Sequence, residues 1–473
     1  MSVYPRNLSA FLNRLTGYNK NNVRLNVLGH SSARHGDIVQ VELPANSIVD
    51  LSSFAWAFEV EYGASGGAGA AHLPINAEAL ISRLAVEVNG QTLVNITNYN
   101  TLYHALLYMS ATEDYQRQRK IAQSNTSDGI AAGSCQVVNN AVATRQHMID
   151  SWLGFLGTAK PNFIDTALLG NVRITITLAN SDIINGTAAI DRSYAILPTQ
   201  HFSIDVISIT DGVYDSMVDS LLAANGVLEI PFKNYFSFTD NVVGGRASTT
   251  FSVASQSIDR LWAVPRSGDY ADADEPSSVV AGKRETQYVL SDAADVGDIL
   301  AGGGNPATVL AAQRALDGKQ LVYGHPYFKF ETCNASQFQF KVNQTQYPNY
   351  VSTMPVDWYQ QTRLALGEQA NMLSGSMVEN MKQYQDDYFV YCVSLAHHSD
   401  TDERFLSGID TRGAAAQCSF SSQQSTEAAD LMTGVRGAPA FDRTVVVPCQ
   451  LTIFAEVTSS LRVMGQKVLE VVQ

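Results

Sequence analysis

The best metal candidate in this sequence is the adjacent pair His397-His398 followed by Asp400, Asp402 and Glu403. Its spacing works against that use. Neighbouring side chains on a strand point to opposite faces, so the two imidazoles do not readily converge on one ion. Asp272, Asp274 and Glu275 carry the hard oxygen ligands calcium takes, but not at EF-hand spacing, and a solvated acidic loop accounts for them as well. Gly318-Lys319-Gln320 lacks the hydroxyl residue and upstream glycine of a phosphate-binding loop. No His-Glu-x-x-His is present, and paired carboxylates for glycoside hydrolysis have no distinguishing pattern here. No catalytic residue, cofactor or metal is therefore expected.

Composition points to large packed cores instead. Of 473 residues, 45% are hydrophobic and 16% charged, which suits two or more globular units. The five cysteines (Cys135, Cys333, Cys392, Cys418, Cys449) are odd in number, scattered and never in a CxxC pair. They suggest reduced thiols and synthesis inside a cell rather than a disulfide framework or zinc site. Met1-Ser-Val-Tyr-Pro-Arg6 has no apolar run behind it, and no stretch reaches the length that spans a bilayer, so a protein that is not secreted is expected.

Charge is distributed unevenly. The chain carries −14 overall, yet no acidic residue precedes Asp37, while Arg6, Arg14, Lys20, Arg24 and Arg34 lie in that arm. Leu8, Phe11, Leu12 and Leu15 recur at the spacing of one helical face between Pro5 and Gly17. A short basic amphipathic helix is expected, either packed on its own domain or reaching an anionic surface or neighbouring subunit.

Beyond the arm, β-periodicity dominates. Phe54, Trp56, Phe58, Val60 and Tyr62 alternate against Ala55, Ala57, Glu59 and Glu61, as in an antiparallel sandwich with one buried face. A base- or sugar-binding aromatic platform is the weaker reading. Val172–Ile176 and Phe202–Val206 continue the pattern. The segment 213–225 reads as a connector helix stopped at Asn225-Gly226, and alternation resumes from Val227. The expected organisation is a basic arm (1–36), a first β domain (37–212), the connector (213–225) and a second β domain (226–473) with long insertions at 266–322 and 399–443. A further polar excursion spans Thr112 to His147.

The two halves also echo one another. Val88-Asn-Gly-Gln-Thr-Leu-Val-Asn95 is answered by Val342-Asn-Gln-Thr-Gln-Tyr-Pro-Asn349. Each follows an alternating strand and precedes a Tyr-containing amphipathic segment, at Tyr99–Tyr108 and Val356–Leu366. Duplication of one β domain explains both.

Leu73–Gln91, Tyr99–Tyr103, the connector with its Asp-bearing face and Val227-Leu-Glu-Ile-Pro-Phe232 together resemble the double jelly-roll major capsid proteins of tailless icosahedral DNA viruses, including polinton-like viruses and virophages. The resemblance implies an all-β chain of two tandem eight-stranded antiparallel jelly rolls that trimerises into a pseudo-hexameric capsomer and is located in the virion. Its implied partners are neighbouring capsomers, penton and minor capsid proteins and, through the arm, an internal membrane or packaged DNA. On that analogy Arg6, Phe11, Leu12, Arg14 and Leu15 make inner-face contacts. Two other classes stand beside it: a carbohydrate-binding or adhesive β-sandwich, which would display aromatics where these loops carry Gly, Ala, Ser and Asp, and a jelly-roll enzyme, for which the His-x-His ligand pair of the cupin kind is absent.

Overall fold

In the computed structural model the alternating segments become strands, and their apolar rows become two cores. Phe54, Trp56, Phe58, Val60 and Tyr62 are all buried. Phe202 from a neighbouring strand stacks on Phe54 and Trp56, with centroids 5.5 Å away in each case. Aromatic pairs of this kind add about 0.5–1.5 kcal/mol to the burial term. The structure describes residues 18–63, 70–111 except 75, 135–186 except 140 and 141, 193–209, 226–267 except 243–245, 330–366 except 334, 388–396, 408–413, 417–424, 449–464 and 468–472, with shorter pieces between 218 and 223 and between 378 and 386.

The first barrel is built from β1 (Tyr18–Leu25), β2 (Ile38–Glu42), β3 (Ile48–Gly63), β4 (Ile81–Val88), β5 (Gln91–Thr97), β6 (Val142–Ile149), β7 (Val172–Leu178) and β8 (His201–Ile209). One sheet runs β1-β8-β3-β6 and the other β2-β7-β4-β5, all antiparallel. The second barrel comprises β9 (Val227–Val242), β10 (Arg246–Ser252), β11 (Ile258–Ser267), β12 (Ala335–Val342), β13 (Thr345–Ser352), β14 (Tyr391–Ser394), β15 (Gln417–Gln424) and β16 (Cys449–Met464). Its sheets run β9-β16-β11-β14 and β10-β15-β12-β13.

Within each set of eight the first strand pairs the eighth, the second the seventh, the third the sixth and the fourth the fifth. That is one long hairpin of four strand pairs wound around a core, the jelly roll. Both barrels have the same order.

The sequence echo marks the innermost hairpin of each barrel. Val88 pairs Gln91 across Asn89-Gly90, whose φ values of 49° and 82° give the primed turn that right-twisted strands favour. Val342 pairs Thr345 in the same way, with Asn343 at φ 56°. A helix then follows in each: α1 (Tyr99–Ser110) in the first barrel and α2 (Pro355–Leu366) in the second. Register extends the match further. Phe202 pairs both Trp56 and Leu25, and Phe454 pairs both Trp262 and Ser237, so Trp56 corresponds to Trp262 and Leu25 to Ser237.

Three segments read differently in the structure than in the sequence. Tyr18–Leu25, expected in the basic arm, is the edge strand β1, paired along its length with β8. An edge strand needs only one buried row, and its polar sequence YNKNNVRL disguises the strand. Gln417–Gln424, expected inside the 399–443 insertion, is the inner strand β15, with Cys418 and Phe420 fully buried between serines and glutamines. Val142–Ile149, expected in a polar excursion, is β6. Of the connector, Val218, Ser220, Leu222 and Ala223 are helical, and Gly226 adopts φ 72° with its N–H 2.8 Å from the Leu222 carbonyl oxygen.

On β6, His147 is 3% exposed, faces Phe58 and has no hydrogen-bond partner at either ring nitrogen among the described residues. Burial, and secondarily the charge of Arg145, push its pKa down to about 3. The unfolded chain takes up this proton near pH 6.5 and the folded chain does not, so stability contributed by the neutral ring falls as pH drops below 6.5. We expect the folded barrel to lose about 2 kcal/mol between pH 7.5 and pH 5 through this residue, and His147→Phe to remove that loss. Urea unfolding of both proteins at the two pH values measures it; equal losses would mean the ring is solvated.

Candidate functional site

Among the described residues neither barrel shows a reactive constellation. Among the described residues no three His, Cys, Asp or Glu side chains are grouped to hold a metal, and no helix is long and apolar enough to cross a membrane. His397, His398, Asp400, Asp402, Glu403, Asp272, Asp274 and Glu275 lie outside the described residues, as do Arg6, Phe11, Leu12, Arg14 and Leu15. What the fold does build with care is the junction between its two barrels, and that junction is the candidate functional element.

Gly154 opens a short helical turn, Phe155–Thr158, between β6 and β7. Its φ is 73°, and a Cβ there would come within 3.0 Å of Val94 and 3.1 Å of Ile96. Glycine thus lets this turn lie close against β5. From that seat Phe155 meets Phe232 of β9 edge-on, with centroids 5.3 Å apart and both rings buried. Two backbone N–H groups lock the contact: Lys160 N–H donates to the Pro231 carbonyl at 3.1 Å, and Lys233 N–H donates to the Thr158 side-chain hydroxyl at 2.9 Å. Pro231 has no N–H to offer, and the outer edge of a sheet is where a strand tolerates that.

Higher on the junction, Thr97 and Ser237 share a hydroxyl–hydroxyl hydrogen bond, and Asn98 Nδ2 donates to Thr239 Oγ1 at 3.3 Å. At the far end of α1, Tyr108 packs on Tyr388 (4.6 Å) and Phe330 (5.8 Å) of the second barrel. The end of β5 in one barrel therefore faces the edge strand β9 of the next, and the far end of α1 faces Phe330 and Tyr388.

Each edge strand is pinned to its sheet by a lysine. In the first barrel Lys20 of β1 reaches Asp205 of β8 at 2.8 Å and Asp50 of β3 at 3.5 Å. Its hydrogen bond to Asp205 raises the lysine pKa, and the same bond holds the Asp205 carboxyl below the usual carboxylate range. In the second barrel Lys233 of β9 reaches Asp259 of β11 at 2.8 Å, with Glu456 of β16 at 4.0 Å. This second cluster is buried. Asp259 also accepts from Ser257 Oγ at 2.7 Å and Thr458 Oγ1 at 2.5 Å. Glu456 accepts from Arg260 at 3.3 Å and the Trp262 indole at 3.2 Å. Buried charges are tolerated only when paired and bonded in this way. Sequence reasoning missed both clusters because their members lie far apart in the chain and share no local motif.

No protein-family model matches the chain, and no curated protein sequence does. Solved structures do. The crystal structure of PBCV-1 VP54 fitted into a reconstruction of the virophage Sputnik is similar over 97% of this chain and 98% of that one, with TM-score 0.60 at 13% identity. A PBCV-1 virus capsid model gives TM-score 0.58 over the same shares of each chain, also at 13% identity. The Faustovirus major capsid protein gives 0.55 over 94% and 90%, at 10% identity. With two complete barrels, one strand order and a match running nearly end to end, the chain has the double jelly-roll fold of these capsid proteins.

Proposed function

We propose that the chain is the major capsid protein of a tailless icosahedral DNA virus, a structural subunit with no enzymatic role, located in the virion shell. The observation that carries this reading is the junction: two complete jelly rolls held in series by buried rings and hydrogen bonds from backbone N–H groups. A doubled barrel of this kind occupies two adjacent positions of a six-barrel ring, so three chains fill one pseudo-hexameric capsomer. Capsomers then contact one another and the penton and minor capsid proteins. The likeness to capsid structures supports the reading through the fold.

The basic arm would lie on the inner side of the shell. Arg6 and Arg14 supply charge for lipid headgroups or packaged DNA, and Phe11, Leu12 and Leu15 supply an apolar face. Native mass spectrometry of the full chain should give a trimer near three times 51.3 kDa. A clean monomer would overturn the assembly. The chain lacking residues 1–17 stops short of β1, so it should still trimerise but close shells poorly; an unchanged particle yield would remove the arm's role.

A further inference from the structure

Half of the strongly exposed large apolar residues among the described ones fall in one stretch: Tyr350 (51%), Val351 (43%), Met354 (64%), Val356 (63%) and Leu364 (63%). They lie on the end of β13, the link that follows and the outer face of α2, whose other face buries Trp358, Thr362, Ala365 and Leu366. Isolated exposed apolar residues need no explanation, but a continuous face of them does.

The internal repeat says what this face matches. In the first barrel the corresponding elements, the end of β5 and α1, are covered by the second barrel: Thr97 bonds Ser237, Asn98 bonds Thr239 and Tyr108 packs on Tyr388. Val351 stands six residues past the start of β13, as Thr97 stands six past the start of β5. The covering barrel meets the end of β5 with its edge strand β9 and the far end of α1 with Phe330 and Tyr388. The counterpart of β9 is β1, whose residues from Asn19 to Leu25 are exposed or only partly buried. Leu25 occupies the place of Ser237, and Leu28 just beyond it is 41% exposed. One chain therefore displays both halves of the contact that it makes internally, each half lacking a described partner on the other barrel.

We propose that the face of Tyr350, Val351, Met354, Val356 and Leu364 docks on the first barrel of a second copy of this chain, with the end of β13 against the β1 edge from Leu25 to Leu28. The contact is head-to-tail and repeats the step from the first barrel to the second. A heterologous step either closes a ring or runs on as a filament. Six equal steps close with three chains, so the inference rests on the trimeric reading above and assigns its interface.

The test uses the full chain with Val356→Glu and Leu364→Glu together, and separately Leu28→Glu. All three side chains are substantially exposed, so the barrels should keep their unfolding midpoints. Burying a carboxylate against the partner should weaken the trimer by about a hundredfold or more, giving monomers by native mass spectrometry where the wild type is trimeric. Val468→Glu, at a residue 53% exposed on the C-terminal strand, should leave the trimer intact. Trimers that survive both sets of substitutions would overturn the assigned interface while leaving the trimeric reading standing. Dissociation by Val468→Glu as well would show that the effect is not confined to this face and would also overturn it. A monomeric wild type would instead remove the trimeric reading on which the interface depends.

Discussion

Lys233→Met should cost the folded chain about 3–5 kcal/mol, the range for removing one partner of a buried ion pair. Asp259 is 4% exposed, and Lys233 Nζ at 2.8 Å is the cation bonded to its carboxylate. Without it, the carboxylate keeps the Ser257 and Thr458 hydroxyls but loses its countercharge, while the Arg260–Glu456 pair is left in place. A further result follows from that cause: adding Asp259→Asn should recover stability, because a neutral amide needs no cation. Urea unfolding of the single and double variants decides it: a single substitution costing under about 1 kcal/mol would mean that water, not the lysine, solvates Asp259.

Trp262→Ala should be comparably severe, at about 3–5 kcal/mol, since it empties the fully buried centre of the second barrel. The corresponding Trp56→Ala should cost a similar amount in the first. The informative contrast is with phenylalanine. The Trp262 indole N–H donates to Glu456, a buried carboxylate, whereas the Trp56 indole N–H has no partner among the described residues. Trp262→Phe should therefore be more destabilising than Trp56→Phe by about 1–3 kcal/mol, the cost of depriving a buried charged acceptor of its donor. Equal costs for the two would show that Glu456 is satisfied without the indole.

Legibility in the sequence followed local geometry. The hairpin echo was readable because its turns need asparagine or glycine at left-handed positions, and the strands before them alternate cleanly. The aromatic row from Phe54 to Tyr62 was readable because one sheet face is buried and the other is not. Strand β1 was hidden because an edge strand can be almost wholly polar. Strand β15 was hidden because QCSFSSQQ has the serine- and glutamine-rich composition of a loop, although Cys418 and Phe420 alternate inward. The lysine clusters were beyond reach, since Lys233, Asp259 and Glu456 converge only when the first, third and eighth strands of a barrel come together. The exposed face on α2 was equally invisible, because Val356 and Leu364 look like core residues until the helix is placed.

The proposed function makes one central claim, that the doubled barrel is a geometric unit in which three chains present six similar barrels to a lattice. Electron microscopy of the purified protein tests it most directly. Particles with true three-fold symmetry and a hexagonal outline are expected, containing six barrels in a ring with the β1 edge of each chain against the end of β13 of the next. Isolated two-barrel particles, or two-fold dimers joined through like surfaces, would contradict it.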